Sequence, residues 1–308
     1  MDLARLAGWL RCPTCAEDLH PAPPLSLRCA RGHSMDANKR GYVSLLPPAT
    51  RVSGDSVPML DARARFLALG HYAPIVDALA AAVLGAEPAH DVDPALEGTL
   101  VGPRIVDAGC GTGFYLHELL DRMPGAVGLA ADLAPAAVSA AVRGRHDVDG
   151  VVADTWSGLP LRDASADLLL DVFAPRNMTE FHRVLAPYGR VAIVAAGTDH
   201  LAELRADGRA VGVQPDKRER ILASADGLFE VESETRVNAP LELTGAEVDL
   251  LLGMGPSAHH APERATGQQP PSAADAGLAS IPAREVCQVV TLDVMVHVLR
   301  RREARDSS

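Results

Sequence analysis

Apolar residues recur at helical spacing across residues 56–84, where Met59, Leu60, Ala64, Phe66, Leu67, Ile75, Val76, Leu79 and Val83 mark one stripe. Gly70 and Pro74 interrupt it and predict two helices rather than one. From Arg104 onward short apolar runs alternate with helical patterns. Strands are expected at Arg104–Gly109, Ala126–Asp132, Val151–Asp154, Ala166–Phe173 and Arg190–Gly197. Helices are expected at Phe114–Arg122, Ala136–Arg143 and Thr179–Leu185. Strands that are apolar on both faces and separated by helices imply a parallel sheet covered on each side, with right-handed crossovers. Near the end, Phe229–Leu243 and Val286–Arg301 are long runs with β-branched residues and partial alternation, expected as two antiparallel strands flanking a helix at Gly245–Leu252. The fold class predicted is α/β, a Rossmann-like sheet preceded by a small separate module.

That module, residues 1–50, lacks helical periodicity and is rich in Cys, Pro and Gly, ending at Pro47-Pro48. Residues 86–100 are polar and contain proline, as a linker would, and the Pro/Gly/Ser/Gln stretch 255–279 is long enough to be a lid, a binding loop or a disordered segment. The expected division is 1–50, a helical connector at 51–100, and a large domain at 101–308.

The chain has 308 residues, of which 47% are hydrophobic, enough for a sizeable core. No apolar run reaches the roughly 18 residues that span a bilayer, and the N-terminus carries charge within its apolar stretch without a cleavage pattern. A cytoplasmic protein without a membrane partner is therefore expected. Net charge is −11, the wrong sign for a generic nucleic-acid binder. Residues 1–51, however, hold seven basic and four acidic groups, a local excess of +3 over a body at −14. A basic module on an acidic body could present a local phosphate-binding face, with Arg28, Arg31, Lys39 and Arg40 as its candidates.

Five cysteines do not suggest a disulfide framework, and three of them cluster early. Cys12-Pro-Thr-Cys15 precedes Cys29-Ala-Arg-Gly-His33. Two cysteines two residues apart turn both thiolates toward one ion, and a second pair completes a tetrahedron suited to Zn(II) with no open position. His20 could take the place of His33, although the spacing from Cys29 favours His33. Such a site is structural: fifty residues have too little core to hold themselves. Cys110 and Cys287 are expected to be buried small side chains.

Val106-Asp107-Ala108-Gly109-Cys110-Gly111-Thr112-Gly113 ends the first strand of the large domain and opens a helix. Glycines let the backbone turn and approach a ligand closely, and helix-start N–H groups can face a polar group. Asp132 lies about 20 residues further on, where a carboxylate can take two ribose hydroxyls. A dinucleotide fold would use G-x-G-x-x-G; this loop has glycines at 109, 111 and 113, with Asp107 before them. That pattern resembles the first motif of the S-adenosylmethionine methyltransferases. Asp154, at the end of the third strand, would then face the adenine amino group, with Trp156 near it.

Further stretches resemble the 23S rRNA guanine-N1 methyltransferases. They are Gly32-His33-Ser34-Met35-Asp36, Gly41-Tyr42-Val43-Ser44-Leu45-Leu46, Gly54-Asp55-Ser56, Ala62-Arg63, Phe66-Leu67, Gly70-His71-Tyr72-Ala73-Pro74, Val172-Phe173-Ala174-Pro175-Arg176-Asn177, Asp199-His200-Leu201-Ala202-Glu203-Leu204 and Met254-Gly255-Pro256-Ser257-Ala258-His259. The likeness is greatest to the Gram-positive branch that includes tylosin-resistance enzymes. It implies methyl transfer to guanine N1 in a hairpin loop of 23S rRNA domain II, where macrolides bind. It also implies zinc on Cys12, Cys15, Cys29 and His33, cofactor contacts from Tyr72, Gly111, Thr112 and His200, and a homodimer with a cleft for 23S rRNA. Arg176 and Asn177, at the sheet's C-terminal edge, are candidates for orienting the base. Tyr188-Gly189 departs from the Gly-Gly common in that family, and 255–279 matches it poorly. A small-molecule methyltransferase and a non-catalytic rRNA-binding protein are the competing readings. The zinc module weighs against the first, the complete glycine loop with Asp132 against the second.

Overall fold

The computed structural model describes residues 2–47, 50, 54–84, 102–156, 158–214, 216–255 and 287–303. The predicted linker at 86–100 and nearly all of the 255–279 stretch lie outside the described residues.

The chain opens on a helix the sequence reading did not anticipate, α1 (Leu3–Trp9), at only seven residues too short to display a period. Asp2 caps it, one carboxylate oxygen accepting from the backbone N–H groups of Ala4 and Arg5. Four short strands follow: β1 (Leu19–Ala22), β2 (Ser26–Cys29), β3 (Ser34–Asn38) and β4 (Tyr42–Ser44), an antiparallel meander. The two predicted helices are α2 (Val57–Ala68), capped by Ser56 with Pro58 in its first turn, and α3 (Ala73–Leu84).

The large domain then runs β5 (Arg104–Ala108), α4 (Phe114–Leu120), β6 (Val127–Asp132), α5 (Pro135–Ala141), β7 (Val148–Val152), β8 (Ala166–Val172), α6 (Met178–Val184), β9 (Leu185–Ala196), α7 (Ala202–Ala206), α8 (Lys217–Ala225), β10 (Phe229–Leu243), α9 (Gly245–Gly253) and β11 (Gln288–Arg301). The two terminal strands fall where the alternation placed them and pair antiparallel along their whole length. Helices α7 and α8 were not anticipated. β9 begins five residues earlier than expected because Leu185 already pairs with Ala166. The extra residues are taken up in a bulge, where Tyr188 sits at φ +61°. That left-handed conformation is the reason glycine suits the position better, and Tyr188 occupies it with half its surface exposed.

The strands of the described residues join one eleven-stranded sheet, ordered β1-β2-β3-β4-β7-β6-β5-β8-β9-β11-β10. The strands from β4 through β9 are parallel, and β4 of the small module supplies the first, paired with β7. Apolar residues from α3, α4, α5 and α9 bury one face, among them Leu79, Leu119, Val138 and Val248. Those of α1, α6 and α8 bury the other, among them Leu6, Phe181 and Ile221. The chain thus forms three layers, with the module's own helix serving as part of one outer layer. Strand order reverses between β5 and β8, which opens a crevice at their C-terminal ends.

Candidate cofactor site and zinc knuckle

Asp107 is the last polar residue of β5 and is 2% exposed. Burial, and then the charges of Asp132 and Asp171, push its carboxyl up to about 8. A crevice that disfavours further negative charge is suited to a cationic ligand, and S-adenosylmethionine carries a sulfonium and an ammonium.

The glycine loop after β5 is held against β6 rather than left open. The N–H groups of Gly109 and Cys110 both donate to the Ala131 carbonyl at 2.8 and 3.1 Å. Gly111 N–H donates to Asp132 Oδ2 at 2.9 Å, and Ala134 N–H to Asp132 Oδ1 at 2.8 Å. The expectation that these amides face a ligand therefore fails for Gly111, whose partner is the Asp132 carboxylate. That carboxylate is fixed in place and keeps lone pairs for hydroxyl donors. The glycines serve close approach instead. Gly109 has φ +85°, and a Cβ there would stand 2.5 Å from the Cβ of Ala174 in the loop after β8. At Gly111 a Cβ would stand 2.6 Å from Arg63 Nη1.

Arg63 is a residue the sequence reading quoted but gave no role. Helix α2 carries it over the loop, where it pairs with Asp55 at 2.5 Å and donates to the Met254 carbonyl at 2.8 Å. A guanidinium against the glycine loop could receive a ligand carboxylate. Tyr115 was likewise missed: its hydroxyl is buried without a hydrogen-bond partner, near enough to Tyr72, Arg63 and Asp107 to feel their charges. An orphaned buried hydroxyl beside this loop fits a missing polar ligand. Arg63 could not be found from spacing, because only the packing of α2 brings it to the loop; Tyr115 follows Gly113 by two residues, but its buried, unpaired hydroxyl shows only in the fold.

Tyr72 is 2% exposed, its ring edge-on to Phe66 at 5.2 Å and 6.4 Å from Phe173. His200 stacks on Phe173 at 6.0 Å and 25°. Its Nδ1 accepts the Asp293 backbone N–H at 3.3 Å, which leaves the proton on Nε2. Burial pushes the imidazole down to about 4, so it is neutral at physiological pH. Gly113 caps α4 at φ +79° and Thr112 is half-buried beside it.

Asp154 and the two proposed base-orienting residues have other neighbours. Asp154 accepts the Trp156 N–H at 3.0 Å and lines a cavity of about 190 Å³ with Arg11, Cys12 and Pro13 of the small module. Trp156 is 69% exposed. Asn177 caps α6, accepting from Glu180 N–H, and donates to the Thr155 carbonyl. Arg176 lies 3.4 Å from Asp171, a fully buried carboxylate whose other oxygen is unpaired and which burial pushes up to about 7. Cys110 is buried as expected, but Cys287 is exposed, since it precedes the last ladder pair Leu243↔Gln288.

In the small module Cys12, Cys15, Cys29 and His33 converge, their ligand atoms all within 4.8 Å of one another. Cys15 Sγ–Cys29 Sγ is 3.6 Å, and His33 Nδ1 is 3.3 Å from Cys29 Sγ and 3.6 Å from Cys12 Sγ. A tetrahedron with Zn–S of about 2.3 Å has an edge of about 3.8 Å, and shorter Zn–N bonds contract it. The spacing fits one zinc ion, with His33 rather than His20 as fourth partner. The knuckle is fastened to the sheet by its polar neighbours. Arg5 grips Asp149 at 2.6 and 3.0 Å, and Trp9 Nε1 donates to the same carboxylate. Arg162 donates to the carbonyls of Leu10 and Leu19.

Comparison with known proteins agrees with both halves. The family model described as the N-terminal region of RlmA, a zinc ribbon, matches residues 10–53, and one described as a methyltransferase domain matches 105–189. A Micromonospora griseorubida protein assigned to the 23S rRNA (guanine-N(1)-)-methyltransferases is 43% identical over 265 residues, covering 84% of this chain and 90% of that one. The chain belongs to the 23S rRNA (guanine-N1-)-methyltransferase family. Another member, the 23S rRNA (guanine(748)-N(1))-methyltransferase of Streptomyces fradiae, is 37% identical over 82% of this chain and 86% of its own length. Outside the family, a malonyl-[acyl-carrier protein] O-methyltransferase of Methylococcus capsulatus is 38% identical, but over only 35% of this chain. The general methyltransferase model thus spans the glycine loop, the ribbon matches the RlmA model, and the match outside the family is confined to about a third of the chain.

Proposed function

We propose that this enzyme transfers the methyl group of S-adenosylmethionine to N1 of a guanine in a hairpin loop of 23S rRNA domain II. The observation that carries this reading is the match to a 23S rRNA guanine-N1 methyltransferase along 90% of that relative, ribbon and sheet together. The same reading assigns residues 1–50 to RNA recognition, 51–100 to a connector and 101–308 to methyl transfer.

Asp107, Gly109, Gly111, Thr112, Gly113 and Asp132 would hold the cofactor's nucleoside and methionine parts, with Tyr72, His200 and Asp154 around it and Arg63 on its carboxylate. S-adenosylmethionine, when bound, supplies an electrophilic sulfonium methyl group and leaves as the neutral thioether, while the proton on guanine N1 is released to solvent. The chain contributes alignment: fixed loops at one sheet edge bring nucleophile and methyl into line, an effect worth up to about 7–11 kcal/mol of barrier. His200, neutral and with Nε2–H available, can donate a hydrogen bond without placing a cation beside the sulfonium. A hairpin-loop base is already partly unstacked, which lowers the cost of drawing it into the crevice.

Zinc on Cys12, Cys15, Cys29 and His33 would supply folding energy to the ribbon. Arg28, Arg31, Lys39 and Arg40 are all exposed, Arg31 lying 3.6 Å from Glu17, and are suited to RNA phosphates. A homodimer framing a cleft for 23S rRNA belongs to this reading, as does a cytoplasmic setting. Among the described residues no single helix is long and apolar enough to cross a membrane. The test is labelled-methyl transfer to unmodified 23S rRNA fragments with primer extension. Methylated N1 cannot pair, so one stop at a loop guanine is expected, and label without a stop refutes the position.

A further inference from the structure

Phe173, the first residue after β8, has φ +55°. A bulky side chain rarely adopts the left-handed region, and such strain persists only where the surroundings impose it. Here they do so from both sides. Phe173 N–H donates to the Val194 carbonyl at 3.0 Å, extending the ladder with β9. The next residue, Ala174, is wedged against Gly109, leaving no room for a Cβ there. The ring is thereby projected from the sheet edge. It rests on half-buried His200 and near buried Tyr72, and still leaves the residue 41% exposed.

Two other exposed aromatics do not share this placement. Tyr188 lies at the start of β9, the opposite edge of the parallel sheet. Trp156 lies four residues beyond the end of β7, a strand separated from β8 by β6 and β5. Phe173 follows the strand adjacent to β5, one spacing from the glycine loop.

We propose that Phe173 is the platform on which the target purine stacks, placing its ring edge beside the glycine loop. This rests on the proposed function and adds a residue for substrate positioning. A platform that only filled space would be released from strain by glycine at no functional cost; a stacking platform would not.

The test compares wild type, Phe173→Gly and Phe173→Trp on the 23S rRNA hairpin. Readouts are single-turnover methylation, affinity for S-adenosylhomocysteine, the urea midpoint, and fluorescence of 2-aminopurine placed at the modified position. Phe173→Gly suits φ +55°, and the strain relieved offsets the packing lost on His200 and Tyr72, so the midpoint is expected to stay near the wild type's and nucleoside affinity to change far less than the methylation rate. Its methylation should fall about 5- to 150-fold, the range of base–aromatic stacking. Phe173→Trp should retain most of the rate. Binding should quench 2-aminopurine for wild type and Phe173→Trp but not for Phe173→Gly. Methylation by Phe173→Gly at the wild-type rate, or a loss matched by weakened nucleoside affinity, overturns the platform while leaving the function standing. If wild type does not methylate the hairpin, the proposed function and the platform fall together.

Discussion

Gly109→Ala separates two physical effects that glycine serves at one position. The new side chain must sit at φ +85°, which costs about 1–2 kcal/mol for an L-residue. It must also sit 2.5 Å from the Ala174 Cβ, about 1 Å inside ordinary carbon contact, and overpacking of that size costs about 1–3 kcal/mol. The expected sum is about 2–5 kcal/mol. Ala174→Gly removes the second methyl group and not the backbone strain. As a single variant it should cost about 0.5–1 kcal/mol. In the double variant it should instead return about 1–3 kcal/mol of the loss. The assay is urea unfolding of the four proteins, alongside a titration with S-adenosylhomocysteine to catch a loop that moves rather than destabilises. A coupling below about 0.5 kcal/mol, with nucleoside affinity changes that simply add, would refute the contact between the two loops.

Three further outcomes are expected. Zinc chelation should unfold the ribbon and red-shift the emission of Trp9, which is 3% exposed, in a Trp156→Phe background; unchanged emission after the metal is removed would count against the knuckle. His200 falls from 6.5 to about 4 on folding, so the unfolded chain takes up its proton first. Stability from this group is complete above pH 6.5 and declines by about 3 kcal/mol as pH falls to 4. His200→Gln should flatten that part of a urea-midpoint profile, and an unaltered slope would dismiss the assignment. Arg5→Ala leaves Asp149, 1% exposed, with little but Trp9 as partner and should cost about 3–5 kcal/mol at pH 8. The carboxyl is already raised by burial and rises further without Arg5, so the loss should shrink as pH falls and the group protonates. A loss independent of pH would point to packing alone.

The order of strands and helices was legible because fully buried parallel strands read as apolar runs and their helices as periodic ones. The long β10–β11 pair was legible to within two residues for the same reason. Seven-residue α1 was not, since two turns carry no measurable period and its stability comes from the Asp2 cap and burial of Leu6 and Trp9. The cysteine spacing and glycine loop announced their chemistry because both depend on local geometry. Arg63 did not, because its place at the loop is a product of tertiary packing, and Tyr115, two residues past Gly113, gave no sign that its hydroxyl would be buried unpaired. Nor did the left-handed turn at Phe173: nothing in Val-Phe-Ala-Pro predicts a conformation that the neighbouring strand and Gly109 impose.

The pairing of β4 with β7 ties metal supply to the integrity of the whole sheet. If the ribbon comes apart, β7 loses its neighbour and presents a bare row of amides and carbonyls beside Val148, Val151 and Val152. An uncovered flat edge of that kind templates association between chains. Cells starved of zinc should therefore accumulate this protein in aggregates, rather than as a soluble enzyme that has merely lost its grip on RNA.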